Sequence, residues 1–276
     1  MKSFSNRYIY IFSATMVVIV ATLLAFISLQ LKPAQERNIL TEKMQNILAS
    51  VRVQSTTSNA QDLFDKYITG SIVLNNEGKI LENTDAFDVD LVAQVSKIEK
   101  TKQLKSLLAE RRVSPFKQFI ASFGGAKETD RQGIQSQISA IGGERQLPVY
   151  ICTKEDSSVY YIFPVRGKGL WGPVWGYISL EADMNTIYGA VFDHKSETPG
   201  LGAEINQEWF QVNFRGKKLF DGASFRSIEV AKKGTVEPSP FTVDAISGGT
   251  ITSKGVEAML YDCLEGYIPY FETQKN

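Results

Sequence analysis

Asp244-Ala-Ile-Ser-Gly-Gly-Thr-Ile-Thr-Ser-Lys254 sets four hydroxyl side chains and two adjacent glycines within eleven residues. Val256, Met259, Leu260, Cys263, Leu264, Tyr267 and Ile268 follow it, and their spacing places them on one stripe of an α-helix. The stretch is therefore read as a loop feeding an amphipathic helix, with Thr252 or Ser253 as the expected N-cap. A hydroxyl-lined glycine loop at a helix N-terminus suits a phosphate. Open backbone N–H groups and the positive dipole end both favour an anion, the dipole by about 0.3–1 kcal/mol. An ordinary polar loop with an ordinary helix start fits the same residues.

Working back from this helix, Arg226–Lys232 and Ser239–Ile246 read as strands and Ala203–Asn213 as a helix. Pro148–Thr153, Ser158–Val165, Val174–Leu180 and Thr186–Asp193 are short, rich in β-branched and aromatic residues, and separated by turn residues. That pattern predicts an antiparallel meander of four strands. Residues 83–145 are highly charged and broken by glycine pairs, and they predict short helices near 88–110 with a surface segment beyond. Ser71–Leu81 reads as a hairpin with Asn76-Glu77-Gly78 in its bend, and Ala60–Ile68 as a short helix.

The N-terminus has another character. Tyr8 to Leu31 contains twenty-four residues without a charge. As a helix it would span about 36 Å, enough to cross a hydrocarbon core of about 30 Å with some tilt. A cleaved signal peptide would have a shorter apolar region and a small-residue cleavage site, so a retained anchor is expected. A single short positive tail ahead of a long domain places the N-terminus in the cytoplasm and the main domain outside. Lys32-Pro33 is expected to end this helix, and residues 36–51 to form a separate amphipathic helix. The resulting organisation is 1–7 cytoplasmic, 8–31 transmembrane, 32–146 connecting, and 147–276 the main domain. The fold class is α+β: an N-terminal transmembrane helix, then an antiparallel sheet with packed helices.

Thirty basic and thirty acidic residues cancel across the 276-residue chain, which removes the field that would attract nucleic acid. Two cysteines and one histidine cannot furnish a four-ligand zinc or iron–sulfur site, so no metal site is expected. Cys152 and Cys263 both fall at packing positions; whether they pair is left open by the sequence. Asp193-His194 lacks a G-x-S-x-G nucleophile elbow anywhere in the chain and reads as a solvated loop histidine. No catalytic residue is assigned.

Gly167-Lys-Gly-Leu-Trp-Gly172 matches G-x-G-x-x-G, but Pro173–Leu180 continues it as a strand where a dinucleotide site needs a helix. As a loop between strands it presents Leu170 and Trp171 to a flat ligand. Glu197-Thr-Pro-Gly-Leu-Gly202 offers a backbone that a planar ring can approach closely. With residues 247–250 these make three glycine-rich loops.

These residues together resemble a known family. Asp244-x-x-Ser247-Gly248-x-Thr250 resembles the flavinylation motif D-x-x-[ST]-G-A-T of membrane-anchored FMN-binding domains, with Gly249 in place of the usual alanine. Gly169-Leu170-Trp171 and Glu197-Thr198-Pro199-Gly200-Leu201-Gly202 match the family's other loops in order. The whole-chain layout is most similar to the C subunits of sodium-translocating NADH:quinone oxidoreductases. The G subunits of Rnf ferredoxin:NAD oxidoreductases share the loops but are usually shorter. The resemblance implies FMN joined covalently by a phosphoester to Thr250, placed there by a flavin transferase acting on FAD. Lys254 would then help to neutralise the phosphate, and the ring would lie against Leu170, Trp171 and the 198–202 loop. It also implies an electron-carrying role beside other membrane and flavoprotein subunits that bind NADH, quinone and sodium, with no complete active site in this chain alone. A non-catalytic anchored assembly or binding domain is the reading from another class.

Overall fold

The computed structural model describes residues 5–109, 130–143, 145–235 and 237–274. Its first element, α1 (Asn6–Ser50), is one continuous helix with Pro33 inside it, so the expected break at Lys32-Pro33 does not occur. Proline at this position removes one backbone bond and costs about 3 kcal/mol; long helical runs on both sides sustain that loss. Only the end of α1 is packed: Met44, Ile47, Leu48 and Val51 are buried. Its apolar 8–31 run is exposed throughout, and α1 is long and apolar enough to cross a membrane.

Helix α2 (Ala60–Tyr67) leads into β1 (Ile68–Leu74). Strands β2 (Leu147–Thr153), β3 (Val159–Lys168), β4 (Pro173–Leu180) and β5 (Ile187–His194) form the expected meander. All neighbours are antiparallel, and β1 joins as a fifth strand beside β2. The 71–81 hairpin is thereby reduced to a single bridge between Leu74 and Ile80 around the predicted bend. A lone two-stranded hairpin is marginal in water, and β1 is more stable as the edge of a larger sheet. The sheet thus draws its first strand from the segment read as connecting.

Helix α3 (Leu91–Ala109) falls where short helices were expected. A further helix, α4 (Asp130–Gly143), stands in what was read as a surface segment; residues 110–129 of that segment lie outside the described residues. After β5 come a 3-10 turn at Gly202–Asn206, α5 (Glu208–Gln211) and a second 3-10 turn at Val212–Phe214, a broken version of the expected 203–213 helix. A small hairpin pairs β6 (Phe220–Asp221) with β7 (Ser224–Phe225), and β8 (Glu229–Ala231) runs parallel to β9 (Thr242–Asp244). Helix α6 (Thr250–Leu264) then carries the predicted stripe through a 3-10 turn into α7 (Ile268–Gln274).

Both faces of the sheet are covered, so its strands read as near-continuous apolar runs. Phe163, Val165, Ile178 and Phe192 pack with α6 residues Val256, Leu260 and Leu264 on one face. Tyr150, Cys152, Ile162 and Tyr177 pack with Ile47 of α1 and with Val51 just past its end on the other. Cys263 belongs to the first cluster and Cys152 to the second, and both thiols are free. Burial pushes each thiol up to about 11.

Candidate functional site

The three glycine-rich loops meet at one end of the sheet. The β3–β4 turn closes with Gly169 N–H donating to Gly172 O at 2.8 Å, which confirms a tight strand-to-strand turn in place of a dinucleotide fingerprint. The second loop leaves β5 at His194. The third leaves β9 and enters α6.

Glu197 joins them. Its side chain is buried, and its Oε1 accepts from the Trp171 N–H at 2.8 Å while Oε2 accepts from the Thr252 hydroxyl at 2.6 Å. The carboxylate thus holds the turn after β3 and the first turn of α6 to its own loop. Glycine is required around it. A Cβ on Gly169 would stand 2.5 Å from Glu197 Oε1, and one on Gly202 would stand 2.4 Å from Thr252 Oγ1. Gly248 adopts φ +76°, where a side chain would also strike Leu201. His194 is half-buried, and its Nδ1 accepts from the Glu197 N–H at 3.2 Å. It orders the loop start, in contrast to the solvated loop histidine expected.

Helix α6 begins at Thr250 with Gly249 at the N-cap and no side-chain cap, so neither Thr252 nor Ser253 fills the expected capping role. Both hydroxyls serve tertiary contacts: Thr252 on Glu197, and Ser253 as acceptor for the Ile246 N–H at 3.0 Å. The uncapped first turn leaves backbone N–H groups with no helical acceptor. Thr250, at the first helical position, is exposed beside them. Lys254 pairs with Glu257 at 2.7 Å.

A cleft of about 240 Å³ opens here. Leu170 and Trp171 wall one side, and Glu197, Thr198, Leu201 and Gly202 another. Gly248, Gly249 and Thr250 form its floor together with Ile251 and Thr252. Gly169 sits behind Glu197 without lining the cleft. Pro199, Gly200, Ser247 and Asp244 are exposed and off its wall, Asp244 at the end of β9. The sequence did not single out Ile251 or Gly255, and it offered Thr252 only as a helix cap. A Cβ on Gly255 would stand 2.3 Å from Lys168 O, so this glycine lets α6 approach the β3–β4 turn. A glycine inside an otherwise regular helix pattern was the available signal. Among the described residues no cluster of metal-binding side chains occurs.

An open helix N-terminus with an exposed hydroxyl, facing a glycine-walled cleft with exposed apolar edges, fits a phosphate-bearing planar cofactor. Residues 169–265 match the FMN-binding domain family, which spans all three loops. The chain is 30% identical to the C subunit of the Na(+)-translocating NADH-quinone reductase of Pseudomonas aeruginosa, covering 84% of this chain and 80% of that one. It is 29% identical to the C subunit of the Neisseria meningitidis (strain Z2491) reductase, over 96% and 95% of the two chains. The crystal structure of the corresponding Parabacteroides distasonis chain superposes with a TM-score of 0.67 at 35% identity, covering 87% of this chain and 96% of that one. The chain belongs to the family of C subunits of the Na(+)-translocating NADH-quinone reductases.

Proposed function

We propose that this chain is the electron-carrying flavoprotein subunit of a membrane complex that couples NADH oxidation and quinone reduction to sodium export. In this reading FMN is held covalently through Thr250. The observation that carries it is the exposed Thr250 hydroxyl at the uncapped start of α6, opening into the cleft between the three glycine loops. The Thr250 hydroxyl would accept the FMN phosphoryl group from FAD, with AMP as the leaving group as the phosphoanhydride breaks, in a reaction assigned to a separate flavin transferase. The hydroxyl proton is lost to solvent or to that enzyme. The resulting phosphodiester keeps one negative charge, which the open N–H groups of the first turn and the helix dipole stabilise by about 0.3–1 kcal/mol for the dipole part.

Leu170, Trp171 and the Thr198–Gly202 loop would border the ring, and Glu197 fixes the spacing between them. When bound, the flavin accepts and passes electrons, and the protein supplies position and polarity. Asp244 and Ser247, off the cleft wall, are assigned to shaping the loop or presenting it to the transferase. Residues 1–7 are placed in the cytoplasm, 8–31 across the membrane and 147–276 on the outer side, with NADH, quinone and sodium handled by partner subunits.

Intact mass and in-gel flavin fluorescence after expression with a flavin transferase test the assignment. The native chain should gain one FMN phosphoester, and Thr250→Val should gain none while folding normally. Covalent flavin persisting in Thr250→Val sinks the attachment claim.

A further inference from the structure

α1 and β5 together set the height of the cleft above the anchor. The Ser50 carbonyl accepts from Ser179 Oγ at 2.6 Å, and a Cβ on Gly189 would stand 2.2 Å from the same oxygen. Just past α1, Arg52 donates to Tyr188 O and lies over the Tyr188 ring, so going back along α1 runs forward along β5. Further back, the Glu42 carboxyl is raised first by burial and then by repulsion from Asp193. From Ser50 back to Glu42 the helix covers about 12 Å, and from Gly189 on to Asp193 the strand covers about 13 Å. The match means that helix and strand run side by side in opposite directions.

The cleft end of the sheet therefore points back toward the apolar part of α1. Val174 pairs with His194 and Lys168 with Pro173, so the 169–172 turn projects about 10 Å beyond Asp193. From Glu42 to Leu31, the end of the uncharged run, α1 covers about 16 Å. The tip of the turn is left about 6 Å from the hydrocarbon edge, and one headgroup layer is about 5–7 Å thick. Leu170 and Trp171 occupy that tip as two adjacent large apolar side chains at 49% and 66% exposure. Tryptophan is favoured at the headgroup level. Lys195, exposed on the adjoining loop, matches anionic lipid.

We propose that the Leu170–Trp171 turn rests in the headgroup layer of the membrane that α1 crosses, with lipid as its partner, so that the cleft opens at the membrane surface. The proposal rests on α1 spanning the membrane. It is tested in the assembled complex in native membranes, with the photocrosslinker p-benzoylphenylalanine replacing Leu170 or, as a control at the far end of β5, Tyr188. A lipid-mass adduct from position 170 and none from position 188 is the expected result. A crosslink from 170 to another protein of the complex, or no lipid adduct, overturns the proposal. As a second readout on the full chain in vesicles, brominated lipids should quench tryptophan emission more in the unaltered chain than in Trp171→Phe, and equal quenching overturns it. Alkaline carbonate extraction of the same membranes separates the two claims. Retention of the chain with no adduct sinks the lipid contact alone, whereas release of the chain removes the spanning helix and the contact together. Flavin fluorescence of the unaltered chain and of the Tyr188 control reports the Thr250 assignment independently.

Discussion

The two faces of the sheet hold their helices by different means. Against α6 the contact is apolar and aromatic: Phe163 meets Tyr267 and Phe271 edge-on, with ring centroids 4.9 and 5.1 Å apart. Against α1 the contact is smaller and tied by directed polar bonds. Ser179 donates to the Ser50 carbonyl, and Arg52, just past the helix end, donates to Tyr188 O. Lys43 ties α1 to the 85–88 segment through Phe87 O, and Tyr150 holds that segment to the sheet through Ala86 O at 2.9 Å. Apolar burial supplies most of the stability and has no preferred direction, whereas a hydrogen bond contributes little net energy but fixes geometry. The α6 face therefore secures the domain and its cleft, and the α1 face sets how the domain sits on its stalk.

Substitutions on each side should separate these roles. Phe163→Ala removes the aromatic centre of the α6 face and should lower unfolding free energy by about 4 kcal/mol, read as a fall in urea midpoint. An unchanged midpoint would break the contrast. Glu197→Ala leaves the Trp171 N–H and the Thr252 hydroxyl without their acceptor; a loss of roughly 3 kcal/mol is expected, together with reduced flavin incorporation measured by fluorescence. On the other face, Gly189→Ala drives a methyl against Ser50 O. It should cost about 2 kcal/mol by melting temperature while flavin content per folded chain stays unchanged. A fall in flavin content with that variant would show that the two faces are not separable.

The smallest effect concerns the thiols, one on each face. Both are raised to about 11 by burial from an ordinary value of 9.0. Their contribution is fully present below pH 9 and is lost as pH rises toward 11, because the unfolded chain ionises first. Neither cysteine should react with a thiol reagent in the folded chain at pH 8; rapid labelling of one alone would mark that face as open.

Periodic signals in the sequence survived into the structure. The α6 stripe from Val256 to Ile268 and the β2–β5 meander are local patterns, and local patterns are legible from one chain. Pairwise facts were not legible. β1 finds its partner across residues 75–146, and no spacing rule reaches that far. Pro33 misled because a proline marks a weak point in a helix without dictating that the helix ends there. At the site, the family motifs located Glu197, but its role became visible only when Trp171 and Thr252 stood at its two oxygens. Thr252 and Ser253 look like caps in sequence, and three-dimensional contacts claim both hydroxyls first.

The remote origin of β1 also carries a kinetic consequence. β2 to β5 pair each with the next in sequence, the low-separation arrangement that forms quickly. β1 must close a loop over the intervening residues, with an entropy cost that grows with loop length. Because α1 and β1 emerge from the ribosome before β2–β5, assembly of the sheet is expected to run against the order of translation, with β1 locking last onto an already paired meander. Hydrogen exchange pulse labelling that protects β1 before β2–β5 would refute this.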